Sequence, residues 1–109
     1  GVKDSSASVE FIRELVAARP GVPVFQGMEH LLMDSGPIDG YVVALANVEA
    51  ALCVALFTNP GSVRAAQLAD VGERYGLARP DWYRVLKAEL HGRGVLTTDR
   101  TMADWSGTG

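Results

Sequence analysis

The chain has a single cysteine, Cys53, so no intramolecular disulfide can form. Cys53 stands in an apolar run, where a thiol is expected to be buried and inert, and a lone thiol suits a reducing compartment such as the cytoplasm. Histidine is nearly as scarce. His30 and His91 lie in different halves of the chain, and neither has metal-ligand spacing to Cys53 or to the other. No metal site and no cofactor is expected. P-loop and dinucleotide fingerprints are missing, and no nucleophile turn supports a Ser-His-Asp set. No catalytic residue is assigned, and the chain is not expected to be an enzyme. Glu29-His30 with Asp34 reads as a loose acidic surface group. No run is long enough for a bilayer either. The most apolar stretch, Tyr41–Phe57, falls short of the roughly 20 residues a span needs and carries Asn47 and Glu49 near its middle. A secretory signal is not visible, because Val9–Val16 is broken by Glu10, Arg13 and Glu14.

Excess positive charge is also lacking. The net charge is −3 and the pI about 5.2, which argues against a strongly basic, nonspecific nucleic-acid binder. The charge is unevenly placed. Residues 1–60 hold three cations against seven carboxylates, whereas residues 61–109 hold seven cations, six of them arginine, against six carboxylates. At 109 residues and 48% hydrophobic composition, the chain supports one domain around one core. Gly1–Ser6 and Ser106–Gly109 read as frayed ends.

Apolar spacing then divides the chain. Phe11, Ile12, Leu15 and Val16 recur at helical intervals over Ser8–Ala18, with Ser5, Ser6 or Ser8 as cap and Pro20-Gly21 as stop. Val22–Gln26 is extended, since Pro23 forbids a regular helix, and Met28–Met33 is a short helical turn. Asp39 caps a further helix through Phe57, ended by Thr58-Asn59-Pro60-Gly61. That helix is apolar nearly all round, so it needs cover on most sides, either from the N-terminal helices or from a second copy.

Beyond Pro60 the pattern changes. Ser62-Val63 is a candidate short strand, followed by a helix over Arg64–Tyr75 and a turn at Gly76-Leu77. A second helix runs from Pro80 to about His91, stopped by Gly92-Arg93-Gly94. Val95–Thr98 is β-prone, Asp99-Arg100 a tight tip and Thr101–Trp105 a returning strand. The segment AAQLADVGERYGLARPDWYRVLKAELHGRGVLTTD (Ala65–Asp99) resembles the winged helix-turn-helix superfamily, with the apolar helix before Pro60 as its first helix. The resemblance covers Asp39–Trp105. It implies a mostly α fold: a winged helix-turn-helix with a small β-hairpin wing over residues 39–105, an N-terminal helical extension over 1–38 and a disordered tail over 106–109.

In that fold the helix over Pro80–His91 enters the major groove. At 100° per residue, Trp82, Val85 and Leu86 share the inner face, while Arg84, Lys87 and His91 share the outer one with Tyr83 at its edge. The resemblance implies that Arg84 and Lys87 read bases or hold phosphate, with Arg64, Arg79 and Arg100 as phosphate or minor-groove contacts. Trp82 is read as core and Trp105 as packing for the wing. The expected function is a cytoplasmic DNA-binding regulator of transcription or of a plasmid or phage. Its expected partners are double-stranded DNA and a second copy, joined through the N-terminal helices and Tyr41–Phe57. The alternative is a protein-association or dimerisation module that binds a protein partner and no DNA. A third reading, a small-molecule-sensing regulator, requires a cavity between the N-terminal helices and Tyr41–Phe57.

Overall fold

The computed structural model describes residues 1–18 and 20–104. Its first element is a strand, β1 (Val2–Asp4), and two more follow, β2 (Val24–Gln26) and β3 (Gly40–Tyr41). All pairing is parallel, in the order β1-β2-β3, with Lys3 opposite Phe25 and Phe25 opposite Gly40. Parallel neighbours need long crossovers. The first contains helix α1 (Val9–Ala18), and the second contains a 3-10 turn at Glu29–Leu31. Backbone bonds extend the ladder at its ends: Val2 N–H donates to Pro23 (2.8 Å), Gly27 N–H to Asp4 (2.8 Å) and Val42 N–H to Gln26 (3.0 Å). Ser8 caps α1, its Oγ accepting the Phe11 N–H at 3.1 Å. Ile12 is the one residue of α1 fully removed from water, and α1 packs on β2.

Beyond β3 the regular elements of the described residues are helical: α2 (Ala50–Thr58), α3 (Ala65–Arg74) and α4 (Trp82–Gly92), with 3-10 turns at Ala44–Asn47, Pro60–Ser62 and Met102–Asp104. The chain is thus mostly helical, as expected. Leu52, Cys53 and Leu56 of α2, Leu68 of α3 and Leu86 of α4 meet in one core with Leu45, Val48, Val63 and Tyr75. Burying each leucine contributes roughly 2 kcal/mol. A polar tie closes the far end of this core. Tyr75, 2% exposed, donates its hydroxyl to Glu49 at 2.9 Å and accepts from Arg93 Nη2 at 3.0 Å. Arg93 also donates to the Val48 carbonyl (2.9 Å) and to Glu89 (2.8 Å), so the end of α4 is bound to the entry of α2 and the exit of α3. Burial first, then the Glu49 carboxylate, pushes the Tyr75 phenol above its ordinary pKa.

Several expectations are corrected. Val2–Asp4 is a strand rather than part of a frayed end, and the N-terminal region is a strand–helix–strand unit rather than a helical extension. The single helix expected over Tyr41–Phe57 is broken into β3, a 3-10 turn and α2. Tyr41 pairs with Gln26, and Val43 is extended (φ −131°, ψ 146°), so sheet pairing overrides the local apolar pattern. Within one chain that stretch is left partly open, with Val54 61% and Phe57 49% exposed. Asp39 caps no helix; its carboxylate accepts the Val24 N–H at 2.7 Å and holds β2 in place. Ser62 belongs to a 3-10 turn rather than a strand. The hairpin wing is not formed among the described residues: Val95–Thr98 pairs with nothing, and Met102–Asp104 is a 3-10 turn. Trp82 is 38% exposed rather than core. The expected packing role of Trp105 and the tail over 106–109 lie outside the described residues.

Gly76 ends α3 at φ +62°, and a Cβ there would press on Arg79 Cδ at 3.0 Å. Gly72, inside α3, has open space around the same position. Gly76→Ala is therefore expected to lower unfolding free energy by about 1–2 kcal/mol, and Gly72→Ala to raise it by roughly 0.5–1 kcal/mol. Urea melts of the two variants check the opposite signs.

Candidate functional site

The cations expected on the outer face of α4 do lie there, and most of them already have partners. Arg84 Nη1 meets Asp104 at 2.8 Å, and Lys87 Nζ donates to the Arg100 carbonyl at 2.8 Å. Residues 100–104 therefore fold back along this face. Thr101 anchors them, its N–H (2.7 Å) and hydroxyl (3.0 Å) both donating to Asp104 Oδ2. Arg79, in the turn before α4, makes two 3.0 Å bonds to Asp81. Tyr83 is 37% exposed and stacks edge-on against Trp82 with centroids 6.0 Å apart. His91 is exposed in the last turn of α4, Arg64 stands exposed at the start of α3, and the Arg100 side chain is exposed. Arg84 and Lys87 thus both hold the strap that carries Arg100, and no hydrogen bond joins Arg79, Arg64 or His91 to it among the described residues.

A second group of residues lies where sequence reasoning assigned no function. At the carboxyl ends of the three strands, the following loops border one cavity of about 250 Å³. Lys3 and Ser5 come from β1 and its exit, Gly27 and Glu29 from the exit of β2, and Val42 and Ala44 from the exit of β3; Leu77 and Trp82 close it from the helical half. The loop after β1 is built on Asp4, 4% exposed, whose carboxylate accepts the Ser6 N–H (3.0 Å) and the Ser6 hydroxyl (3.1 Å). Ala7 in that loop takes a left-handed conformation (φ 64°). A Cβ on Gly27 would lie 3.0 Å from the Asp4 carbonyl oxygen and would force the Ser5 and Lys3 side chains to move. Below the rim, Gln26 is fully buried, donating to Ser35 Oγ at 2.8 Å and accepting the Met28 N–H at 2.9 Å. Glu29 Oε1 accepts the Leu45 N–H at 3.4 Å.

A sequence signal for this site exists. Val2-Lys3-Asp4, an amphipathic helix and Val24-Phe25-Gln26 follow one another as strand, helix and strand, the pattern of a parallel crossover unit.

Cys53 is buried, as expected, and its thiol is pushed up to about 11, first by burial and then by Glu29 and Glu49, which leaves it neutral. Among the described residues no three His, Cys, Asp or Glu side chains come together to hold a metal ion, and no helix is long and apolar enough to cross a membrane. No protein-family model, curated protein or solved structure matches this chain.

Hydrogen bonds from the Thr101 backbone, then from Arg84 and the Thr101 hydroxyl, hold Asp104 well below the usual carboxylate value, at about 2. A depressed folded-state value stabilises the strap above the ordinary carboxylate pKa of about 4 and is lost as pH falls toward 2. In acid titrations between about pH 5 and pH 2, Asp104→Asn is expected to flatten the loss of stability relative to the parent chain.

Proposed function

We propose that this chain carries a small-molecule site at the carboxyl edge of its parallel sheet, with Lys3 as the group that engages the ligand. The observation behind this reading is the convergence of all three strand exits, with Lys3 at their rim, on one cavity. Ligands of open parallel sheets bind outside the carboxyl ends of the strands, and this cavity lies at that edge, although the strand order has no reversal point. Gly27 lets the Lys3 and Ser5 side chains pack over the backbone at this edge, and Trp82 and Leu77 supply an apolar wall. Lys3 is the cation of this cavity. Its ammonium suits a carboxylate or phosphate, and its amine is the lining group that can condense with a carbonyl carbon. Among the described residues no histidine lines the cavity beside Ser5 to act as base.

The test is an amide-shift titration of the intact chain with small carboxylates, phosphates, aldehydes and ketones, each repeated with cyanoborohydride. Shifts are expected at Lys3, Gly27 and Val42, and Lys3→Met should weaken binding at least about tenfold, the worth of a charge-assisted hydrogen bond. A mass increment on the Lys3 peptide after reduction selects the carbonyl chemistry. Binding that survives Lys3→Met, or shifts confined to other regions, contradicts the reading.

A second reading is the helix-turn-helix DNA binder. It is favoured by the shared core of α2, α3 and α4 on either side of the Gly76 turn. In it α4 enters the major groove, with Arg84 on guanine and Lys87, Arg79, Arg64 and Arg100 on the backbone, and a homodimer reads a palindrome. Asp104 must first leave Arg84. This reading predicts fluorescence-anisotropy binding to duplex DNA that falls steeply between about 50 and 200 mM salt and weakens in Arg84→Ala and Lys87→Ala. Absence of binding by micromolar protein at the lower salt would leave protein association as the role of the helical half. The exposed Val54 and Phe57 would then be its docking surface.

A further inference from the structure

A larger cavity, about 970 Å³, lies between the segment Met28–Asp34 and the α3–turn–α4 unit, away from the place a sensing cavity was expected. It reaches the upper end of the range that holds drug-sized ligands. Its apolar walls include Met28, Met33, Leu68, Leu77 and Trp82. Thioether and indole groups are polarizable, and the indole face attracts cations. The charge around these walls is predominantly negative, with His30 and Arg79 as the basic groups among the described lining residues. Glu29, Asp34 and Glu73 line the cavity, and the one guanidinium there, Arg79, is engaged by Asp81 through two 3.0 Å bonds. Arg13 donates to the Asp34 backbone carbonyl at 2.8 Å, so a second guanidinium stands near that segment, and Glu29 and Glu73 set the potential farther from it. Glu73 is exposed at the rim and makes no ion pair among the described residues.

We propose that this cavity binds a bulky organic monocation, an apolar body carrying a delocalised or quaternary positive charge. The carboxylates do not converge: no trio of acidic, histidine or cysteine groups among the described residues forms a metal-holding cluster. A small hard cation needs several oxygens at short range, whereas a bulky cation is served by dispersed negative charge together with apolar and aromatic contact. An anion of the same shape meets the same walls and the opposite field.

Tetraphenylphosphonium and tetraphenylborate, nearly identical in shape and opposite in charge, separate the two contributions by isothermal titration calorimetry on the intact chain. Saturable one-to-one binding of the phosphonium is expected, at least about tenfold tighter than the borate. Glu73→Lys should weaken it about tenfold, since reversing a unit charge a few ångströms away in a water-like medium is worth that factor. Glu73→Gln should weaken it about threefold. The two cavities share Glu29 and Trp82, and Lys3→Met removes a cation from the adjoining one, so it is expected not to weaken phosphonium binding; failure at the strand-edge site and failure here are therefore distinguishable. Equal affinity for the two ions, tighter binding of the borate, no phosphonium binding, or a phosphonium affinity indifferent to both Glu73 variants overturns the proposal.

Discussion

Parallel pairing of three short strands is the constraint from which the rest of this structure follows. β1 and β2 have three residues each and β3 has two, so none is stable by its own propensity. They hold because each crossover brings a packing group or polar tie with it. Ile12 of α1 lies against the sheet side, Asp39 fastens the start of β2, and Gln26 is pinned between Ser35 and Met28. Parallelism also puts all three carboxyl ends at one edge. That edge is where Lys3, Gly27 and Val42 meet, although they are far apart in the chain.

The helical half is bound differently. Its centre is an ordinary leucine core, while its perimeter is tied by charged side chains acting on backbone and phenol. Arg93 alone reaches Val48, Tyr75 and Glu89. Arg84 and Lys87 hold the returning strap in the same manner. Cations that a helical wheel assigns to an external ligand are thus already occupied. Side-chain direction can be read from periodicity; whether another part of the chain arrives to meet that side chain cannot.

This difference explains what was legible beforehand. Helices α1, α3 and α4 are visible in the sequence because their apolar residues recur at helical spacing and their ends carry Ser8, Gly76 and Gly92-Arg93-Gly94. The strands were harder to see. Val2–Asp4 is three residues beside a serine-rich stretch, which resembles a loose terminus unless its partner at Val24–Gln26 is considered with it. In Tyr41–Phe57 the apolar character is real, but part of it serves β3, and of α2 Leu52, Cys53 and Leu56 are buried in the core with Ala55 packed at its edge. A β-prone composition at Val95–Thr98 forms no hairpin because no partner strand lies beside it among the described residues. The strand-edge site was missed for the same reason as the sheet: its residues are brought together by pairing rather than by spacing along the chain.

Native-state amide hydrogen exchange, read residue by residue, tests the parallel sheet most directly. The account predicts slow exchange at Gly27 and Val42, whose N–H groups donate to Asp4 and Gln26 across the strand ends, and at Val2, which donates to Pro23. Exchange of these three amides at the rate of an unstructured chain, with α3 and α4 still protected, would contradict it.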